Sequence, residues 1–562
     1  MRIKEQNINK LLIALLAVSA VVRGVLAAWL EFGNDEVYYW TYALYPDWSH
    51  FDHPPMVGWV IQLFSLNLLF DSEFFIRLAS VVLMTTNTYI IYRMAKEIKD
   101  VRTGLYAALL YTASIYAFVI TGVFIMPDTP LMLFWLLAVW MAIRYFSGLP
   151  RFARNDAKRQ LTETTENKDT LRVIARHEAI QGKHYLLLFG AFAGLAMLSK
   201  YSGVFLWVGM GLYILIFNRK ELKNPYVYLA LIISAICCIP ILYWNFQNNF
   251  VSLSFHGGRI SLFGKPNFGT FGAEIAGEFF YNNPVNFVLA IIAVIAACKS
   301  RIHMEKPIQR LLLCTTLPLI LAFLFFSLTR PTLPHWNAPA YTLLILLSAV
   351  YLRDRYTNSD RLPHSITAAL ALLLLTLIIG VAEIKTGSIP LDKHTEPEEL
   401  GRNDFTLDMY GWRQLEPKFA ALREQKIAEG AMREEDGIVA HQWFPLAHID
   451  YYVARPLGMK ALGLGWPEHL HKYLWINEKR GGFQLGESYW FLTDSHYPKD
   501  PKTMYQWYFE EIELAATLTI ERGGKPAKNV FVYTCKNLRI KPPTLDEIRA
   551  TAASEANTAS RQ

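Results

Sequence analysis

Four acids, two histidines and a row of aromatics crowd into "NDEVYYWTYALYPDWSHFDHPP", residues 34–55. Asp35 and Glu36 are adjacent, and Asp52 and His53 follow in the same stretch. A carboxylate held near a hydroxyl can take its proton, and several cations brought together can hold a phosphate. The chain supplies further candidates of both kinds. Asp128 sits in "VFIMPDTP", Lys200 in "LSKYSG", His256 and Arg259 in "SFHGGR", and Arg330, His335 and Trp336 in "TRPTLPHWN". Acids early and cations later are what a site reading both a hydroxyl and a phosphate would need. Each signal has a plainer reading when taken singly. Asp128 reads as a helix cap, Lys200 as a lysine reaching along the bilayer to its surface, "HGGR" as a turn, and His335 with Trp336 as part of an interfacial aromatic belt. Taken together they favour a site, provided that they share a face.

Which face they share is set by the apolar elements between them. The 562 residues are 53% hydrophobic and 18% charged, and the apolar residues fall in long runs. That is the pattern of a polytopic α-helical membrane protein. Spans are expected near residues 10–30, 74–94, 103–121, 129–147, 185–199, 203–218, 226–246, 285–298, 311–328, 336–352 and 365–384, about eleven crossings. The N-terminal run lacks a small-residue cleavage site and is expected to be a retained span, not a signal peptide. "PPMVGWVIQLFSLNLLF" at 54–70 is short, closed by Asp71 and Glu73, and reads as an interfacial or re-entrant helix; a true crossing there would break the parity of the scheme.

The connectors alternate. The N-terminus, "YRMAKEIKDVR", the long loop beginning "RFARNDAKRQ", "NRKELK", "KSRIHMEK" and "RDRYTNSDR" are basic and fall on one side. The positive-inside rule makes that side cytoplasmic. The net charge of +7 is thereby explained without a nucleic-acid partner. Every candidate residue then lies at an outer span end. This speaks against the main rival, a lipid-linked sugar transporter or flippase, which would place charges at mid-membrane. The five cysteines show neither metal spacing nor a disulfide framework.

Beyond residue 385 the pattern changes. "GIVAHQWFPLAHIDYYVA", "GESYWFLTD" and "NVFVYTC" read as strands and "WRQLEPKFAALREQKIAEG" as an amphipathic helix. The expected organisation is a transmembrane domain over 1–384, a periplasmic α/β domain over 385–545 and a disordered tail over 546–562.

The segments "NDEVYYW", "WSHFDHPPMVGWV", "DSEFFIRLAS", "MPDTPLMLFW", "GLAMLSKYSG", "HGGR" and "HWNAPAY" together resemble the bacterial membrane glycosyltransferases of the dolichyl-phosphate-mannose–protein mannosyltransferase type, which include the aminoarabinose transferases of lipid A. "DFTLDMYGWRQL" in the tail is similar to the outer domain of some members. The resemblance implies a GT-C fold, a polyprenyl phosphate sugar donor and inverting transfer on the periplasmic face. The acceptor it implies is an envelope glycolipid such as lipid A, another glycan or a protein. It puts Asp35 in the place of the catalytic acid of the first outer loop, with Glu36 beside it, Asp52 in the second acidic motif and Asp128 as a third acid. Lys200 matches a donor-phosphate position, with His53, Tyr201, Arg259 and Arg330 assigned to the same task. His53 stands where the aminoarabinose transferases carry a lysine. Tyr38, Tyr39, His256, His335 and Trp336 are expected to bind acceptor or sugar. No cofactor is required, since the lipid phosphate itself leaves; a divalent ion at Asp35, Asp52 and His53 is an option that these residues leave open.

Overall fold

The computed structural model describes residues 4–147, 168–258 and 265–547. Residues 151–167 of the long basic loop and all but the first two residues of the 546–562 tail lie outside the described residues, whereas residues 168–183, expected to belong to that loop, are helical and run on into the span. Every apolar run expected to span is helical. In chain order the helices are α1 Ile8–Trp29, α2 Asn34–Leu44, α3 Met56–Phe64, α4 Glu73–Ile98, α5 Val101–Ala113, α6 Asp128–Ser147, α7 Lys168–Ser199, α8 Phe205–Phe217, α9 Pro225–Cys237, α10 Ile239–Gln247, α11 Val251–Gly258, α12 Phe268–Tyr281, α13 Pro284–Cys298, α14 Lys306–Ser327, α15 Ala338–Arg355 and α16 His364–Thr386. Among the described residues, α1, α4, α6, α14 and α16 are each long and apolar enough to cross a membrane. The count reaches 7 if the pairs α9–α10, bent by 44°, and α12–α13, bent by 101°, are each one span. α15 contributes 18 residues that are nearly all buried, so it is the centre of the bundle rather than its lipid face. α1 and α16 are the opposite case, with Val18, Val21, Leu374 and Ile378 turned outward.

Small residues set the closest helix contacts. A Cβ on Gly190 would lie 2.3 Å from the carbonyl oxygen of Ala230, and one on Gly194 would lie 2.7 Å from Cys237 Cβ. α7 and α9 therefore meet backbone to backbone, as helices in lipid commonly do. The segment 54–70 is the 9-residue helix α3 followed by a turn with positive φ at Leu66, Asn67 and Leu68. At 1.5 Å per residue it is about 14 Å long, too short to cross. It lies instead against α2, where a Cβ on Gly58 would come within 2.8 Å of Tyr42 Cβ.

The region after α16 folds around one five-stranded sheet of order β2-β1-β3-β5-β4, with β1 Gly437–Ala440, β2 Ala461–Gly463, β3 Tyr489–Asp494, β4 Phe509–Arg522 and β5 Lys525–Leu538. β1 runs parallel to β2 and β3, whereas β5 is antiparallel to both β3 and β4. α17 Trp412–Ala428 forms where the amphipathic pattern placed it. The stretch 437–454 departs from its expected strand. Only its first four residues are β1, and the rest forms α18 Trp443–Ile449 and a π-turn over Asp450–Ala454. The run of buried aromatics and aliphatics there covers α2 instead of pairing in a sheet. α19 Pro467–Leu470 and α20 Tyr473–Lys479 also belong to this region.

Candidate active site

Gly33 caps α2, and the Glu36 carboxylate reaches back to accept the Gly33 N–H at 3.0 Å. This capping box fixes where the helix starts. Glu36 also accepts from Arg77 Nε at 2.7 Å and Nη2 at 2.6 Å, and from the Ile125 N–H at 3.1 Å. Arg77 is fully buried and donates further to the carbonyls of Ala27, Leu30 and Glu31. One ion pair thus ties together the end of α1, the start of α2, the N-terminal turns of α4 and the segment before α6. All four of these contacts of Glu36 are made within the protein, and they engage both of its carboxylate oxygens.

Asp35, one residue earlier, is half-buried and, among the described residues, accepts no hydrogen bond on its carboxylate. Burial pushes the Asp35 carboxyl up to about 6, with repulsion from Asp52 and Glu36 adding to it and Lys200 opposing. Burial without a partner disfavours the charged form, and it leaves a carboxylate poised between its two states near neutral pH.

Asp52 is held differently. Its Oδ1 accepts from Tyr38 Oη at 2.8 Å and from Tyr42 Oη, and its main-chain carbonyl meets His256 Nε2 at 2.8 Å. Burial opposes its charge, but His471, His53 and the two tyrosine hydroxyls outweigh it and keep its carboxyl below the usual range. Two carboxylates that repel one another are therefore driven apart in ionisation, which is how a site divides an acid or base role from a fixed charge. His53 packs edge-on to Tyr39 with ring centroids 5.7 Å apart, and burial brings its imidazole down to about 4 against the pull of Asp52. Burial thus favours its uncharged form.

Asp128 begins α6 and is 1% exposed. Its Oδ1 accepts from Tyr116 Oη at 2.9 Å and its Oδ2 from Lys200 Nζ at 2.7 Å. Lys200 follows the last residue of α7, and it touches Asp35 and His335 electrostatically. His335 stands at 6.2 Å from the Tyr281 ring, and burial, reinforced by Lys200, holds its imidazole down to about 4. Tyr201 bonds Ser252 at 2.9 Å and packs on the His256 ring at 5.0 Å.

The structure thus gathers Asp35, Tyr38, Tyr39, Asp52, His53, Asp128, Lys200, Tyr201, His256 and His335 in one neighbourhood. It does not gather all of the expected set. The Arg330 guanidinium lies over the Phe326 ring at 5.3 Å and makes no hydrogen bond or ion pair with the cluster. Trp336 packs on Phe323 at 5.7 Å. Arg259 lies outside the described residues. Among the described residues no three His, Cys, Asp or Glu side chains converge as a group that could hold a metal ion. Asp52 faces two tyrosines.

Residues not foreseen complete the surroundings. Glu278 accepts from Tyr341 Oη at 2.8 Å and from Asn337, and Glu274 accepts from Thr332 at 2.8 Å, so α12 fixes the segment that carries His335 and Trp336. Their i, i+4 spacing was the available signal. His471 and Lys472 enter from the C-terminal region, with His471 Nδ1 at 3.8 Å from Asp52 Oδ2. Nothing in the local sequence "LHKYL" announces that contact.

The family model for dolichyl-phosphate-mannose-protein mannosyltransferases matches residues 52–148 and 171–244, which carry Asp52, Asp128 and Lys200. The lipid A galacturonosyltransferase RgtD of Rhizobium johnstonii is 20% identical over 435 residues, 76% of this chain and 81% of that protein. Crystal structures of ArnT from Cupriavidus metallidurans share the fold with a TM-score of 0.56 at 14% identity. The one bound to undecaprenyl phosphate matches over 92% of this chain and 97% of its own, and the apo form over 93% and 98%. A membrane bundle with its acids and its lysine at helix ends, the matched segments and the shared fold agree: the chain has the GT-C fold of ArnT and is similar, in the matched segments, to membrane glycosyltransferases of the dolichyl-phosphate-mannose–protein mannosyltransferase type.

Proposed function

We propose that the protein moves one monosaccharide from a polyprenyl phosphate to a hydroxyl of an envelope acceptor, lipid A or another glycan or protein, at the periplasmic face of a bacterial inner membrane. Three relations support the reading: the name of the RgtD relative, the undecaprenyl phosphate bound to ArnT, and basic loops on the face opposite the site. The single observation that carries it is the Asp35 carboxylate, half-buried, unpartnered and raised to about 6 beside fixed charges.

In the proposed step the acceptor hydroxyl attacks the anomeric carbon from the side opposite the phosphate. Its oxygen forms the new C–O bond as its proton passes to Asp35. The bond from the anomeric carbon to the phosphate oxygen breaks, and that electron pair stays on the phosphate. A single displacement inverts the anomeric centre. Lys200 is the cation placed to meet the growing phosphate charge, and Asp128 holds its ammonium in place until then. Tyr39 and His335 supply flat surfaces for a sugar ring.

The test is incubation of detergent-purified protein with a panel of polyprenyl phosphate sugars and envelope glycolipids, read by mass spectrometry, with Asp35→Asn alongside. A glycosylated acceptor that vanishes in the variant supports the reading. Lipid translocation in vesicles that persists in Asp35→Asn, with no transfer by folded wild type, would turn it over in favour of a transporter.

A further inference from the structure

The region after residue 385 reaches into the loop that carries Asp52. Lys472 is 4% exposed, and its main-chain N–H donates to Tyr38 Oη at 3.2 Å, the same hydroxyl that donates to Asp52. Its ammonium donates to the Tyr45 carbonyl at 2.5 Å, meets His50 Nδ1 at 3.1 Å and lies over the Tyr42 ring at 4.6 Å. Tyr42 is the second hydroxyl on Asp52. His471 stacks on Trp443 at 5.6 Å with the rings 20° apart, and Phe51, Phe255 and Tyr38 surround it at 5.2, 5.5 and 6.0 Å. Its backbone has φ +49° and ψ −127°, outside the left-handed helical region and a conformation that a residue with a Cβ adopts only where its surroundings enforce it. Two consecutive residues thus contact Asp52 directly, or through one tyrosine, from sequence positions more than 400 later.

We propose that His471 and Lys472 are positioning residues of the transfer reaction: docking of the C-terminal domain sets Asp52, Tyr38 and Tyr42 in place, and the active site is complete only when that domain is seated. The proposal rests on the transfer reading above for its catalytic consequence, but not for its structural one. A side chain displaced by about 1 Å in such a site costs up to a hundredfold in rate.

Two measurements on the full chain in detergent separate the cases. The first is hydrogen exchange of residues 34–53 in wild type and in Lys472→Met. Exchange about tenfold faster in that segment, with β3 and β5 unchanged, is the expected result, and identical exchange overturns the proposal whether or not any sugar is transferred. The second compares His471→Asn with His471→Gly. Glycine enters φ +49°, ψ −127° freely and asparagine meets the same Cβ strain that histidine already bears there, but only Asn keeps a donor toward Asp52. The expected outcome is a kcat about tenfold lower in the Gly variant, with KM for the sugar lipid changed less than twofold and most of the loss restored in the Asn variant. Equal kcat in the two variants overturns the positioning role of His471. A wild type that transfers no sugar but shows the exchange difference overturns the transfer reading and leaves the structural coupling standing.

Discussion

Asp35 and Glu36 are neighbours of the same chemical type with opposite assignments, and the difference is entirely one of partners. Asp35 has none and is raised to about 6 by burial. A base must be ionised to act, so transfer is expected to fall as pH drops below about 6, and Asp35→Asn to lose about 10²- to 10⁴-fold in kcat. The linkage has a definite sign. A carboxyl that binds its proton more tightly when folded adds stability at low pH, and that stability is lost as pH rises through the folded value. Asp35→Asn is therefore expected to melt higher than wild type, by more at pH 8 than at pH 5, in thermal scans at both. Glu36→Gln should do the reverse. It leaves the fully buried Arg77 without its counter-charge, at a cost of about 3–5 kcal/mol, and a loss of folded protein in size-exclusion traces would reveal it. That Asp35, Asp52, Asp128 and Lys200 would come together was legible in sequence because each stands at or near the end of an apolar run. The task of Glu36 was not, since its partner Arg77 is buried within a helix whose sequence gives no pairing signal.

At the scale of elements, helix positions followed directly from the apolar runs, since a run of that length has few other ways to satisfy its backbone in lipid. Where runs were interrupted the outcome was harder to read. The break at Cys238 bends one pair by 44°, and that at Asn282–Asn283 bends the other by 101°. Those angles come from packing and caps, not from composition. The stretch 437–454 misled for a related reason: a buried helix over α2 and a buried strand carry the same run of apolar residues. The contact of α3 with α2 gives the sharpest test at this scale. Gly58→Ala puts a methyl 2.8 Å from Tyr42 Cβ and so pushes on a residue that holds Asp52. Overpacking of this kind costs about 1–3 kcal/mol. A lowered melting point with a larger fall in transfer than in lipid binding is the expected pattern.

For the whole molecule, the interface between bundle and C-terminal domain is mixed. Arg413 pairs with Glu73, and Arg455 with Asp71, through side chains that are 46% and 38% exposed on the arginine side. Exposed pairs contribute about 0–1 kcal/mol. Beneath them Trp412 N–H donates to Glu31 at 2.7 Å, Tyr452 Oη donates to Glu73 at 3.1 Å, and Phe32 packs edge-on to Tyr451 at 5.0 Å. Arg413→Ala and Arg455→Ala should therefore leave the domain seated even at high salt, with proteolysis between residues 387 and 400 no faster than in wild type. The orientation proposed above predicts that a cysteine at Trp48 is labelled from the periplasm and one at Lys220 only after the membrane is opened. Neither the seating nor its residues could be read from the chain, because the two sides are hundreds of positions apart. That distance has a consequence for biosynthesis. Glu31, Tyr38, Tyr45, Asp71 and Glu73 emerge first, and their partners at Trp412, Arg413, Tyr451, Tyr452, Arg455 and Lys472 are 340 to 434 residues behind. At about 5–20 residues per second the ribosome needs on the order of tens of seconds to supply them. During that interval the nascent chain has its acids and their near partners but not His471 and Lys472, so, on the coupling proposed above, a chain that stalls or is truncated before residue 472 would be born inactive rather than unregulated.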